Sequence, residues 1–436
     1  MTTRWLRAWI QNPGLLLASP MFRTCATNAA ILGLGLISSV QLSRWLGPTG
    51  RGQVAAVLLW PMLLTYIVST GLISGVMYYG AQPEVRIERL IANAMGFALA
   101  QGALGMAVGY ALMPWVLHSQ SLGVVRAARL FLAVIPMSLL TQYGCSILQA
   151  RLHFAAYNAL RVVIPAGYVA GVLLLKMYGA LQFGSVVRLQ LLLNGFALVF
   201  VVVWIFVLRI PVGVRMDWNL AKQMMHYGVQ VQSGDLSNAA NLRLDQVLMS
   251  AWMPPAMLGL YVVAVSASQV SDVVALAWRI VATPRIARET SISERRILLQ
   301  QTFRKYLAVS IPVLFLLAIA LPVLIPFLFG REFRTSIICA EILLVGAAFL
   351  SAKNVLGGGL QALGSPWLAS RADLLALVVT VVTLPPLLLR WGIVGAAIAS
   401  TLAYGTQLAV VVFGLHRTHS ISPRSLVREI PHPVAL

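Results

Sequence analysis

Leu191-Leu-Leu-Asn-Gly-Phe-Ala-Leu-Val-Phe-Val-Val-Val-Trp-Ile-Phe-Val-Leu208 carries no charge and is apolar on every face it could present. A membrane-crossing β-strand alternates apolar and polar residues over ~10 positions, and this stretch does not alternate. As a helix it matches the ~20 residues that cross a bilayer core. Outward from it, Gly52 to Pro83, Ile91 to Val125, Leu130 to Ala150, Tyr306 to Gly330 and Trp391 to His416 are equally free of Asp, Glu, Lys and Arg. Of 436 residues, 59% are hydrophobic and 10% charged, against about 25% charged in a soluble domain, and the mean hydropathy is +0.84. With no water in the bilayer to satisfy the backbone, such segments must be helices.

The spans predicted along the chain are 24–43, 53–79, 91–117, 126–149, 155–176, 188–208, 225–251, 257–279, 305–329, 335–361, 367–389 and 392–416. The fold class is therefore an all-α polytopic membrane protein of about twelve transmembrane helices. Residues 1–22 carry Arg4, Trp5, Arg7 and Trp9 without a separate apolar core and cleavage site. They read as a retained cytoplasmic, interfacial lead-in and not as a removed signal peptide. Cys25, Cys145 and Cys339 lie in apolar segments without metal-site or disulfide spacing, so no metal is expected.

The formal charge of +20 would suggest a nucleic-acid partner in a soluble protein. Here it reports topology, because cytoplasmic loops of membrane proteins carry the excess of Lys and Arg. With both termini on the cytoplasmic side, that side holds twenty-one basic residues and the other holds nine, while Arg243 and Lys353 lie inside spans. This assigns most of the charge to orientation and to anionic membrane lipids, with no nucleic acid, and places the protein as a multi-pass component of a cytoplasmic-type membrane, a bacterial inner membrane by the family resemblance given below. The longest loop, roughly Arg279 to Arg304, leaves no room for a soluble catalytic domain.

Three collinear likenesses point to a duplication. Ser43-Arg-Trp-Leu-Gly-Pro48 resembles Ser250-Ala-Trp-Met-Pro-Pro255 at an offset of 207, Leu148-Gln-Ala150 repeats as Leu360-Gln-Ala362 at 212, and Leu173-Leu-Leu-Lys-Met177 resembles Leu387-Leu-Leu-Arg-Trp391 at 214. Six spans per half insert in one orientation, giving two parallel six-helix repeats around a central cavity. That arrangement suits transport by alternating access. The expected lobes are 23–210 and 211–436, the second ending in a short cytoplasmic tail, with a cleft between them.

Leu42-Ser-Arg-Trp-Leu-Gly-Pro-Thr-Gly-Arg-Gly52, Leu244-Asp-Gln246 with Leu258-Gly-Leu-Tyr-Val-Val-Ala264, Phe329-Gly-Arg-Glu-Phe333 and Trp391-Gly-Ile-Val-Gly-Ala-Ala397 resemble elements of the oligosaccharide flippase, or polysaccharide biosynthesis, family. It belongs to the multidrug/oligosaccharidyl-lipid/polysaccharide exporter superfamily. The resemblance implies a flippase moving an undecaprenyl-diphosphate-linked oligosaccharide to the periplasmic leaflet for O-antigen, capsule or exopolysaccharide assembly. It further implies other polysaccharide-assembly proteins as partners, and no cofactor beyond a coupling proton or sodium ion. Lipid II flippases of the superfamily have fourteen spans. A multidrug/toxic compound exporter, on the same twelve-helix plan, and an intramembrane glycan-processing enzyme are the alternatives; the reading is of a transporter and not an enzyme.

A charged head group crossing the core needs polar lining, and intramembrane ionisable residues are the first candidates. The seventh span is richest in them. Gly234, Asn238, Asn241 and Asp245 recur at helical spacing and fall on one face. Arg243 offers a guanidinium fork for diphosphate, or else pairs with a carboxylate on another helix. Asp235 carries a coupling proton or braces the helix at Ser233-Gly234, and Asp272 on the eighth span is similar. Asp245 caps or braces the helix end or lines the cavity. Lys353, beside Asn354 and above Gly357-Gly-Gly359, is a candidate cavity cation, and Asn28 aligns with Asp235 through the repeat. Arg243, Lys353, Asn238, Asn241 and Asn28 are thus expected at substrate, and Asp235 and Asp272 at the coupling ion.

Overall fold

The computed structural model describes residues 20–427 other than 273, 274, 277, 279–281, 283–285 and 287; of 20–25, 233–235 and 238 it describes the backbone alone. Among the described residues there are helices and no strand. They are α1 (Pro20–Val68), α2 (Leu72–Gly80), α3 (Ile87–Val116), α4 (Leu122–Phe131), α5 (Val134–Ala150), α6 (Phe154–Met177) and α7 (Phe183–Val207). There follow α8 (Trp218–Asn241), α9 (Leu244–Trp252), α10 (Pro255–Ser268), α11 (Ile292–Leu328), α12 (Ser336–Ala362), α13 (Trp367–His419) and α14 (Pro423–Val427).

Eight of these segments are long and apolar enough to cross a membrane singly, with α4 and α5 taken together. Eight segments become ten spans because α1 and α13 each hold two, bent at Gly47 (φ 65°) and Gly392 (φ 57°), and α8 with α9 and the shorter apolar α10 stand at the places of the expected seventh and eighth. The gap between the first two predicted spans holds Gly47-Pro-Thr-Gly50, a sequence suited to a tight turn. Instead one left-handed glycine makes the bend and Pro48 opens the next helical turn, where its missing N–H costs nothing. Other spans are broken and not continuous: the second at Thr70–Gly71, the seventh at Leu242–Arg243. Large apolar side chains such as Phe315, Val323 and Leu389, 69%, 71% and 71% exposed, coat the outside of their helices, as lipid-facing surfaces require.

The chain packs as two compact units. One holds the residues up to Leu46 and Ala56–Gln232; the other holds Gly47–Ala55 and the chain from Ser233 onward. The division therefore falls inside α8 and not in the linker near residue 210. In the first unit α8 meets α2 at backbone distance: a methyl on Gly71 would lie 2.0 Å from the Gly228 carbonyl oxygen, and one on Gly75 2.7 Å from that of Met224. Tyr78 stacks on Tyr227 with ring centroids 4.4 Å apart. Small residues at such crossings let helices approach where lipid supplies no hydrophobic drive.

The linker before α8 is fastened to α3. Asn93, fully buried, bonds the Asp217 backbone both ways, donating to its carbonyl at 2.9 Å and accepting from its N–H at 3.0 Å. The Asp217 carboxylate accepts from the N–H groups of Asn219 and Leu220 and pairs with Arg89 at 2.9 Å. It is thus an N-cap and an ion-pair member at once. The Leu220 N–H, and after it the Arg89 guanidinium, hold this carboxyl below its ordinary 3.8.

In the second unit a core of Leu299, Phe303, Leu356, Leu360, Leu368, Val411, Leu415 and Leu426 ties α11, α12, α13 and α14. Residues 47–55 join this unit through two glycines 207 residues apart, the repeat offset. A methyl on Gly52 would fall 1.7 Å from the Pro255 carbonyl oxygen, and one on Gly259 2.0 Å from that of Pro48. Since Pro255 and Pro48 are also 207 apart, repeat-equivalent positions meet reciprocally.

Candidate functional site

Three acidic side chains of the second unit anchor polar constellations, two of them buried and one half-buried. In the first, Lys353 on α12 donates to Asp373 on α13 at 2.6 Å, the side chains being 6% and 9% exposed. Asn241, the last residue of α8, donates to the Asp373 backbone carbonyl at 2.7 Å. Thr380, two turns along α13, donates to the Asn241 amide oxygen at 3.3 Å. Helices α8, α12 and α13 are thereby joined through buried polar atoms.

In the second, Asp245 at the start of α9 is buried. It accepts the Tyr261 hydroxyl at 2.5 Å, the Ser400 hydroxyl at 3.0 Å and the Gln246 N–H at 2.7 Å. Three donors replace the water that a carboxylate loses on burial. In the third, the half-buried Asp272 accepts from Ser351 at 2.6 Å, beside a small cavity lined by Ser271, Tyr306, Ser310 and Ser351.

Arg243 sits at the break between α8 and α9, with φ −135° and ψ −15°. Its guanidinium reaches the Gln246 amide oxygen at 3.4 Å and remains half-buried. The single polar stripe expected along the seventh span assumed one straight helix. The break redirects it: Asn241 meets α13, whereas Asp245 meets α10 and the second half of α13. The side chains of Asp235 and Asn238 lie outside the described residues. Gly357 to Gly359 do not unwind α12; a methyl on Gly359 would lie 2.3 Å from a Leu299 methyl, so that glycine seats α11.

The first unit places Asn28 against Arg161 of α6, whose guanidinium donates to the amide oxygen at 2.7 Å and lies over the Tyr157 ring at 5.2 Å. The same unit answers the broken second span with side chains. Thr70 has φ 45° and Gly71 φ 70°, which frees carbonyls above the break. Gln101 on α3 donates to the Thr70 hydroxyl at 3.0 Å and to the Ser69 carbonyl at 3.5 Å. Tyr143 on α5 donates to Gln101 at 2.6 Å, and Gln232 on α8 donates to the Tyr66 carbonyl at 2.7 Å.

Sequence reasoning missed Asp373 and Arg161. Both stand near predicted span ends, where charges ordinarily reach interfacial water. The available signal for Asp373 was its register, since Asp373, Ala376 and Thr380 share a helical face with no lysine or arginine on it.

Broken helices, a buried ion pair and lipid-facing apolar belts on twelve spans define a polytopic membrane transporter. The solved structures of that fold include the lipid II flippase MurJ in an inward closed conformation, with a TM-score of 0.74 at 14% identity over 92% of this chain and 88% of that one. They also include an inward-facing multidrug resistance transporter of the MATE family, with a TM-score of 0.66 at 13% identity over 90% and 95%. A probable low-salt glycan biosynthesis flippase, Agl15 of Haloferax volcanii, is 25% identical over 327 residues, 65% of this chain and 67% of its own. The profile of the polysaccharide biosynthesis protein family matches residues 41–338, and the chain belongs to that family.

Proposed function

We propose that the protein carries an undecaprenyl-diphosphate-linked oligosaccharide from the cytoplasmic to the outer leaflet of a bacterial inner membrane by alternating access, both termini being cytoplasmic. Membership of the polysaccharide biosynthesis family carries this reading, and the glycan flippase among the relatives supports it. Each unit contributes a half-buried guanidinium within its spans, Arg161 beside Asn28 and Arg243 at a helix break. A guanidinium presents a planar fork that suits diphosphate, and we assign these two cations to the head group while the polyprenyl chain stays in lipid. Asp235 and Asp272 are the residues we assign to a coupling ion.

Vesicles containing the protein and a fluorescent lipid-linked oligosaccharide test the proposal. Movement between leaflets that falls at least tenfold in Arg243→Ala and Arg161→Ala supports it, and absence of movement under every ion gradient ends it. The MATE fold likeness favours one second reading, export of cationic drugs. Under that reading, deletion cells become drug-sensitive and keep their surface glycan.

A further inference from the structure

We propose that Lys353 is a resident cation, its tethered ammonium filling the place against the Asp373 carboxylate that a dissociable monovalent cation would otherwise take. The inference rests on the transport reading only for its meaning in coupling; the site itself is argued from geometry.

Lys353 and Asp373 meet at 2.6 Å with both side chains under a tenth exposed. A carboxylate at that depth demands a positive partner, because an unpaired charge there is expensive. The oxygen that faces the ammonium is that of the Asp373 carboxylate, while beside Asp373 the Asn241 amide oxygen and the Thr380 hydroxyl, from two helices, bond each other. Oxygen donors of this kind suit hard metal cations. The Asn241 amide nitrogen is committed to the Asp373 carbonyl, and its oxygen turns to Thr380. A lysine ammonium is a compact point charge, closer to a small ion than the spread guanidinium of Arg243. Its four-carbon stem rises from α12 and cannot leave.

A cation that cannot dissociate removes this cluster from any ion cycle. Joining α8, α12 and α13 becomes permanent and independent of salt composition, and sodium dependence cannot arise from Asp373. Removing the ammonium while keeping the carboxylate opens a hole with a negative wall, which a small cation can enter.

The test uses the purified full chain and follows thermal unfolding in sodium, potassium and choline chlorides at equal ionic strength. The wild-type Tm is expected to be the same in all three. Lys353→Met, similar in volume and uncharged, is expected to have a lowered Tm in choline. That Tm then climbs with the logarithm of sodium concentration, as ligand linkage to the folded state requires. In Lys353→Met with Asp373→Asn the climb disappears.

A sodium-dependent rise in the wild type that is lost in Asp373→Asn overturns the proposal, as does a single variant whose salt response equals that of the double variant. Should Lys353→Met not be recoverable, the wild-type series decides, equal Tm values upholding the proposal and a sodium-specific rise rejecting it. The readout is folding, so failure of glycan movement in vesicles leaves this result standing, and the reverse holds too.

Discussion

The two units treat buried polarity differently. The first spends it on the backbone: Gln101, Tyr143 and Gln232 serve the carbonyls and hydroxyl around a strained Thr70, and Asn93 serves the linker at Asp217. The second spends it on charge: Lys353 with Asp373, Asp245 with Tyr261 and Ser400, and Asp272 with Ser351. Neutral amides hold a broken helix with bonds of modest net value. Ion pairs, by contrast, cannot lose one member without stranding the other. The second unit should therefore be the brittle one and the first the forgiving one.

Asp373→Ala is the change that presses hardest on that contrast. It strands the Lys353 ammonium, and losing one partner of a buried pair costs about 3–5 kcal/mol. Thermal or denaturant unfolding of the purified protein in detergent measures it. A cost indistinguishable from zero would mean that Lys353 finds another carboxylate or water, and the second unit would lose its distinction.

Gln101→Ala tests the other side. It leaves the Ser69 carbonyl to Tyr143 and removes the main support of the Thr70 bend, with an expected cost of ~1–3 kcal/mol. The same unfolding measurement applies. A loss as large as that of Asp373→Ala would show that the bend at Thr70 is as demanding as a buried charge, and the comparison between units would collapse.

How much of this could be read from the sequence follows the same division. The spans were legible because each is apolar for as long as a bilayer is thick, and the bends at Gly47 and Gly392 were visible as short gaps. The breaks at Thr70–Gly71 and Leu242–Arg243 were not. Ser69-Thr-Gly71 is small and weakly polar, and nothing local says that Gln101, thirty residues on, will take the freed carbonyl. Asp245 was legible as a brace, yet its partners Tyr261 and Ser400 lie 16 and 155 residues away. Lys353 stood out as a charge in a span, but Asp373 hid beside Arg371 at a span end. Charges can be found by inspection, whereas their pairing depends on helix rotation, which the polar pattern of a single chain does not fix.

The second unit contains its own exception. Gln407 on α13 is fully buried, and both of its amide atoms are without a bonding partner among the described residues. An unsatisfied amide costs more than an apolar group of the same shape. Gln407→Met is accordingly expected to raise stability by about 1 kcal/mol, seen as a higher Tm. If stability falls instead, the amide holds ordered water and belongs with the charged clusters after all.

The smallest expected effect lies at the linker, where the first unit uses its described salt bridge. The Asp217 carboxyl is held below 3.8 by the Leu220 N–H and Arg89, so folding favours its charged form. That contribution is complete above the ordinary carboxylate range and disappears as pH falls through the lowered value. Near neutral pH the clasp should be insensitive to pH, and protease cutting between residues 208 and 217 should be slow and constant. Below pH ~4 cutting should accelerate. Arg89→Ala is expected to move the onset of cutting to higher pH, because one cause of the lowering is gone, while Asn93 still holds the backbone. An onset unchanged by Arg89→Ala would assign the clasp to Asn93 and the helix cap alone, leaving the linker of the first unit without a working ion pair and the contrast with the second unit sharper.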